Sequence, residues 1–210
     1  MTDAHTHDPR IAAALLAAGG SRRLGTPKQL LRADDDVPLL VSLTQALLAC
    51  DVTSVCIITG HAANDVRALV RHALPTILHN RVRWIHNADW TEGMASSIRA
   101  AVAAAGDADG LLLLACDQPA VTTPHLQTLL HRFARTGERV VSSYGETRGI
   151  PAVWPRADLA TLGALIGDRG AKGLLRGDEL AVPLPNGALD LDTPEDVAQW
   201  RRASVAQRDH

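Results

Sequence analysis

Leu15 to Leu31, LLAAGGSRRLGTPKQLL, sets Gly19, Gly20, Ser21, Arg22, Arg23, Gly25 and Lys28 between two apolar runs. Glycines let backbone come close to a ligand, and the exposed N–H groups of such a loop suit phosphate oxygens. Arg offers those oxygens a planar fork and Lys a compact point charge. The chemistry that fits is polyphosphate binding. A Walker A loop is excluded, because Lys28 arrives late after Gly20 and Gly25 and no Ser or Thr follows it. A dinucleotide fingerprint is excluded too, since G-x-G-x-x-G is absent. Lys28 and Lys172 are the only lysines in a chain that otherwise uses Arg. A lysine kept in such a chain is what a position needing a point charge looks like.

Asp117 is the next candidate. Gly110–Cys116, GLLLLAC, reads as a strand buried on both faces, and Asp117-Gln118-Pro119 follows at once. An acid at the C-terminal end of a central strand lies where open α/β sheets form their ligand crevice. There it can hold Mg²⁺, which prefers oxygen donors and phosphate oxygens among its ligands. The competing role is to cap the helix after Thr122-Thr123-Pro124. The metal is favoured because the phosphate loop belongs on the same sheet edge.

Other acids and hydroxyls follow the same logic. Asp190 and Asp192 read as alternating on a short strand, and so as sharing a face. Thr193 is a natural N-cap and Pro194 a natural first helical residue. Capping leaves Asp190 unexplained, which makes it a candidate second metal ligand. Gly93, Ser96 and Ser97 open an alanine-rich helix. The serines can cap it or bond a base or phosphate, and spacing does not decide between these. Trp90 reads as packing and His61 as a turn residue at a strand end.

These residues need elements to position them. Ile11–Ala18, Val52–Thr59, Arg81–His86 and Arg139–Tyr144 read as strands, and Pro38–Cys50 and the stretch around Asp65–His72 as helices. Gly149–Trp154 reads as a Pro-containing edge strand or cleft wall. Gly167–Leu175 is a second glycine turn, carrying Arg169 and Lys172. Arg32–Asp36 is a solvated acidic turn. Strands alternating with helices predict an α/β fold around a mainly parallel sheet.

At 210 residues and 46% apolar, the chain fits a single domain. The expected division is a disordered start at 1–10, the domain at 11–203 and a flexible end at 204–210. His5 and His7 fall in that start. A net charge of −2 offers nucleic acid no global basic field. No apolar run approaches the ~20 residues of a membrane span. Cys50, Cys56 and Cys116 have neither zinc nor disulfide spacing and read as reduced core residues. MTDAHTHDPR is unlike a signal peptide. Together these place the chain in the cytoplasm.

LAAGGSRRLGTPKQLL, NADWTEGMASSIRAAV, LLLACDQP, GIPAVW, GDRGAK and LDLDTPEDV fall in the order seen in the MobA/MocA-like nucleotidyltransferases. The chain resembles that family from Ile11 to about Trp200. The resemblance implies a Rossmann-like three-layer sandwich of the glycosyltransferase-A type. The activity implied is transfer of a nucleoside monophosphate from an NTP, with loss of pyrophosphate and use of Mg²⁺. It implies that Ala17, Ala18, Gly19, Gly20 and Ser21 line the nucleotide, that Arg23 and Lys28 hold its triphosphate, and that Gly93, Ser96 and Ser97 lie near the base. Asp117 would bind Mg²⁺, with Asp190 or Asp192 as second acid. The LAAG form resembles the cytidylyl-transferring branch, whereas guanylyl transferases more often read LAGG. The implied substrates are CTP and the terminal phosphate of molybdenum-bearing molybdopterin. The implied protein partner is a molybdoenzyme or its maturation factor. Three other readings stay open: a guanylyltransferase, a transferase for another small phosphate, and a non-catalytic molybdopterin carrier.

Overall fold

The computed structural model describes residues 8–21, 23–32 and 37–206, with side chains through 202. Its strands are β1 (Ile11–Ala17), β2 (Ser54–Thr59), β3 (Val82–His86), β4 (Gly110–Ala115), β5 (Val140–Tyr144), β6 (Thr147–Pro155) and β7 (Leu180–Pro183). Its α-helices are α1 (Leu39–Leu48), α2 (Ala63–Ala73), α3 (Met94–Ala105), α4 (Thr123–Thr136), α5 (Leu159–Gly163) and α6 (Pro194–Ala206). The strands form one sheet in the order β3-β2-β1-β4-β6-β5-β7. β1 pairs parallel with β2 and β4, β2 with β3, and β5 with β7. Only β6 runs against its neighbours. The expected mainly parallel sheet is therefore present.

β1 and β4 are apolar at every position because both of their faces are covered. Ile11, Ala13 and Leu15 point into one core with Leu43 and Leu47 of α1 and Leu126 and Leu129 of α4. Ala12, Ala14 and Leu16 point into the other, with Ile98 and Ala101 of α3 and Leu162 of α5. Helices thus lie on both faces of the sheet, giving three layers. From β1 the chain crosses one face through α1 to β2, and it reaches β4 on the other side of β1 through α3. The strand order reverses between β1 and β4, and a crevice forms at their C-terminal ends.

Three local expectations change. β6, the Gly149–Trp154 piece, is interior, between β4 and β5. It tolerates Pro151 because the β5 ladder shifts register between Val141 and Ser142, while pairing with β4 runs only from Gly110↔Pro155 to Leu113↔Ala152. The freed Ile150 and Pro151 carbonyls accept hydrogen bonds from Gln118 Nε2 (2.8 Å) and Ser142 Oγ (2.6 Å). Asp190–Asp192 is not a strand. The Asp192 N–H turns back onto the Asp190 carbonyl at 3.0 Å, so no pleat sets their directions. Finally, α6 runs past the expected boundary at 203, to Ala206.

Thr193 and Asp196 cap α6 reciprocally. Thr193 Oγ1 accepts from the Asp196 N–H, and Asp196 Oδ2 accepts from the Thr193 N–H. Ahead of β1, Arg10 is tied by its N–H to Asp109 Oδ2 and by its guanidinium to Asp107. Residues 1–7, with His5 and His7, and Asp34–Asp36 of the acidic turn lie outside the described residues. Cys50, Cys56 and Cys116 are buried and free.

Candidate functional site

Lys28 and Asp117 stand 89 residues apart in sequence and meet at the crevice, with Nζ 2.5 Å from Oδ2. The β1–β4 ladder fixes Asp117. It continues past the strands as a bond from the Cys116 N–H to the Leu16 carbonyl, which leaves the next residue at the sheet's edge. The loop after β1 fixes Lys28. Ser21 sits at φ +49, its carbonyl accepts from Leu24 and Gly25, and its Oγ accepts from the Lys28 N–H at 2.8 Å. Gln29 is wholly buried and donates from Nε2 to the carbonyls of Ala17 (2.9 Å) and Gly19 (2.8 Å). It therefore closes the neck of the loop on both sides of Ala18.

Lys28 Nζ also reaches Asp192 Oδ1 at 3.0 Å, and Arg23 Nη2 takes the other oxygen of Asp192 at 2.6 Å. Burial alone would favour the neutral amine of Lys28. The attraction of Asp117, with hydrogen bonds to Asp117 and Asp192, outweighs it and holds the ammonium well above its ordinary value. Asp190 stands beside these acids with its surface exposed on one side. Desolvation, then repulsion from Asp117 and Asp192, pushes its carboxyl up to about 6. Burial, followed by the charges of Asp190 and Asp117, also raises the Tyr144 phenol, which places the chain's single tyrosine at the same acidic end.

Among the described residues, no three His, Cys, Asp or Glu side chains gather as a preformed metal site. Lys28 lies between two of the acids instead. The donors available are all carboxylate oxygens, the set a hard divalent cation takes. The surplus negative charge felt by Asp190 is what such a cation would relieve. On these grounds Asp117 and its neighbours fit Mg²⁺ or Mn²⁺.

The crevice is about 400 Å³ and its walls include Ala18, Gly19, Gly20, Lys28, Gly93, Ser97 and Asp117. Ala17, Ser21 and Ser96 stand behind that wall as supports, and Arg23, Asp190 and Asp192 border its charged end. At the far wall Asn87 Nδ2 donates to Ser96 Oγ (2.8 Å) and Ser97 Oγ (3.1 Å), and Ser96 Oγ donates to the Gly93 carbonyl. Gly93 itself is the residue preceding α3, with no side-chain cap bond. The two serines are thus held by Asn87 and do not cap the helix. Trp90 packs across the crevice floor, edge-on to His61 at 5.2 Å. It lies so close to Gly60 that a Cβ there would come within 2.6 Å of its side chain.

The Gly167 turn is bound to this wall. The Gly167 N–H donates to Glu92 Oε1, and the Gly167 carbonyl accepts from the Ala95 N–H. Arg99 pairs with Glu92 and donates to the Leu165 carbonyl. The Arg99 bond, then that of Gly167, holds the Glu92 carboxyl down to about 2. This strap carries Asp168 to the crevice, whereas Arg169 and Lys172 are exposed. Sequence reasoning missed Gln29, Asn87, Asp168 and Tyr144. Only Gln29 left a signal, as a polar residue inside the apolar end of the loop.

The model of the MobA-like NTP transferase domain matches residues 13–183. The chain is 30% identical over 196 residues to the nicotine blue oxidoreductase of Paenarthrobacter nicotinovorans, covering 90% of this chain and 92% of that one. It is 26% identical over 185 residues to the molybdenum cofactor cytidylyltransferase of Escherichia coli K12, covering 87% and 91%. Among solved structures, the manganese complex of Rv0371C from Mycobacterium tuberculosis H37Rv superposes with a TM-score of 0.74 at 27% identity, covering 92% and 98%. With the match running from β1 to β7, this chain belongs to the MobA-like NTP transferase domain family and is a nucleotidyltransferase by class.

Proposed function

We propose that the protein moves CMP from CTP to the terminal phosphate of molybdenum-bearing molybdopterin and releases pyrophosphate, in the cytoplasm and with Mg²⁺. The observation that supports this reading most is the meeting of Lys28 and Asp117 under a glycine loop at the β1–β4 crevice. A cation for phosphate and an acid for a divalent metal then stand side by side. The molybdenum cofactor relative and the LAAG form of the loop support the acceptor and the base. Among the described residues, no helix is long and apolar enough to cross a membrane.

The acceptor phosphate is already an anion, so its attack on the α-phosphorus needs no Ser–His pair. It needs alignment and neutralisation of crowded charge. Lys28 and Arg23 would hold the β- and γ-phosphates and stabilise the leaving pyrophosphate. Asp117, with Asp190 or Asp192, would hold Mg²⁺, which when bound supplies Lewis-acid neutralisation of the phosphate oxygens. Ala17–Ser21 would cradle the nucleotide by backbone, and Gly93, Ser96 and Ser97 would border its base. The Cys116 thiol at the crevice is pushed up to about 12 by burial and then by Asp117, so it stays protonated and unreactive.

The deciding experiment measures pyrophosphate release with Mg²⁺, each of the four NTPs and molybdenum-loaded molybdopterin. Release with CTP and little with GTP is the expected result. Release with GTP instead would make the protein a guanylyltransferase. NTP binding without release would mean another phosphate acceptor. Neither binding nor release would leave the molybdopterin carrier.

Base choice gives a separate prediction. Ala18 is 3% exposed and lies between the two carbonyls that Gln29 holds. Ala18→Gly removes its methyl group and frees the backbone. The variant is expected to narrow the CTP/GTP ratio of kcat/KM about tenfold, the effect of one lost packing contact. An unchanged ratio would put the selector elsewhere, at His61 or Ser97.

A further inference from the structure

Lys28 does more in this structure than wait for phosphate. Its ammonium bridges Asp117 Oδ2 (2.5 Å) and Asp192 Oδ1 (3.0 Å) in a pocket where the Lys28 and Asp117 side chains are only 15% and 16% exposed. Arg23 occupies the remaining oxygen of Asp192. One oxygen of Asp117 and both oxygens of Asp192 are thus already neutralised by the protein's own cations.

We propose that Lys28 is a resident counter-cation of the acidic site, and that its transfer from carboxylate to phosphate couples nucleotide binding to metal binding. This rests on the reading that Asp117 holds the metal and Lys28 the triphosphate. Lys28 suits the exchange, because its ammonium is a point charge on a flexible four-carbon stem. Its backbone N–H stays fixed on Ser21 Oγ, so the side chain swings while the loop holds. A metal arriving alone must drive the ammonium out of a half-buried ion pair with nothing to receive it. A nucleotide arriving alone draws Lys28 away and leaves bare carboxylates facing its phosphates. When both arrive, the triphosphate receives Lys28 and the metal receives the acids. Each ligand therefore favours the other beyond their direct contact, and by linkage the effect is reciprocal. Couplings of this kind span about 5- to 150-fold.

The test is Mn²⁺ binding to the full-length chain without nucleotide, read by electron paramagnetic resonance of the free ion. Lys28→Met keeps the stem and removes the charge. It is expected to bind Mn²⁺ roughly tenfold tighter than the parent chain, and Lys28→Met/Asp117→Asn is expected to lose that gain. Lys28→Arg keeps the charge in a rigid fork and is expected to bind Mn²⁺ no tighter than the parent. Binding by Lys28→Met no tighter than the parent would overturn the proposal, as would tighter binding by Lys28→Arg. The Arg variant decides the matter if the Met variant does not fold. A parent chain whose Mn²⁺ binding with CTP ignores Asp117→Asn would instead remove the metal assignment itself, and the proposal with it.

Discussion

Asp117→Asn is expected to lower kcat roughly 10²–10³-fold, the loss seen when one preorganised charge contact is removed. The substitution conserves volume and keeps the backbone bond from the Leu191 N–H to the Asp117 carbonyl. It removes the charge that Lys28 meets at 2.5 Å and that a metal would bind. Stability should change little, by about 1 kcal/mol, for two reasons. Lys28 keeps Asp192 as a partner, and Asp190 loses one of the three like charges that raise it. Steady-state kinetics beside a thermal melt separates the effects. A variant with near-normal kcat would remove Asp117 from the chemistry. A variant that unfolds would show the pair to be a structural bridge between the loop and the sheet.

Gly93→Ala carries the largest expected effect on stability. Gly93 adopts φ +125, a region essentially closed to residues with a Cβ. The added methyl would also stand 2.2 Å from Asp168 Oδ1 and 2.7 Å from the Gly167 carbonyl oxygen. Asp168 can rotate away. Gly167 cannot, since its N–H and carbonyl are both bound to this wall. Backbone strain of about 1–3 kcal/mol adds to the loss of the strap. At 2–4 °C per kcal/mol for a chain of this size, the melting temperature should fall by roughly 5–12 °C. Gly137→Ala is the control. Gly137 is left-handed at φ +68, but a Cβ there meets nothing within 4 Å, so only a cost of about 1–2 kcal/mol applies. Equal losses in the two variants would mean that the strap does not bear on Gly93. If Gly93→Ala folds, its KM for CTP should rise more than its kcat falls, because the displaced Gly167 turn borders the crevice and not the Lys28–Asp117 end.

How much of this could be read without coordinates differs from residue to residue. The apolar runs of β1 and β4 were legible because a strand covered on both faces has no polar positions to hide it. Lys28 and Asp117 were legible because each follows such a strand, and the crevice of an open α/β sheet lies just there. The capping of α6 by Thr193 was legible too, since it depends on neighbours three residues apart.

Contacts across the chain were not. Asn87 and the serines it holds lie on one wall, but nothing local says that an amide will fill both hydroxyls. The strap of Glu92, Arg99 and Gly167 joins positions 75 residues apart, from Glu92 to Gly167. β6 looked like an edge because proline cannot donate to a ladder. The bulge that makes room for Pro151 shows only in the pairing with β5, where Val141 and Ser142 meet Ala152 and Gly149 and skip Ile150 and Pro151. Asp190 and Asp192 looked alike in sequence, yet tertiary packing sends Asp192 to two cations and leaves Asp190 among like charges. By itself the sequence determined the layers, the sheet edge that bears the site, and the two residues of opposite charge at its centre, because each depends on local pattern and hydrophobic burial. Only the tertiary structure decided which carboxylate Lys28 meets and what braces the far wall, because those follow from distances between residues that the chain itself keeps far apart.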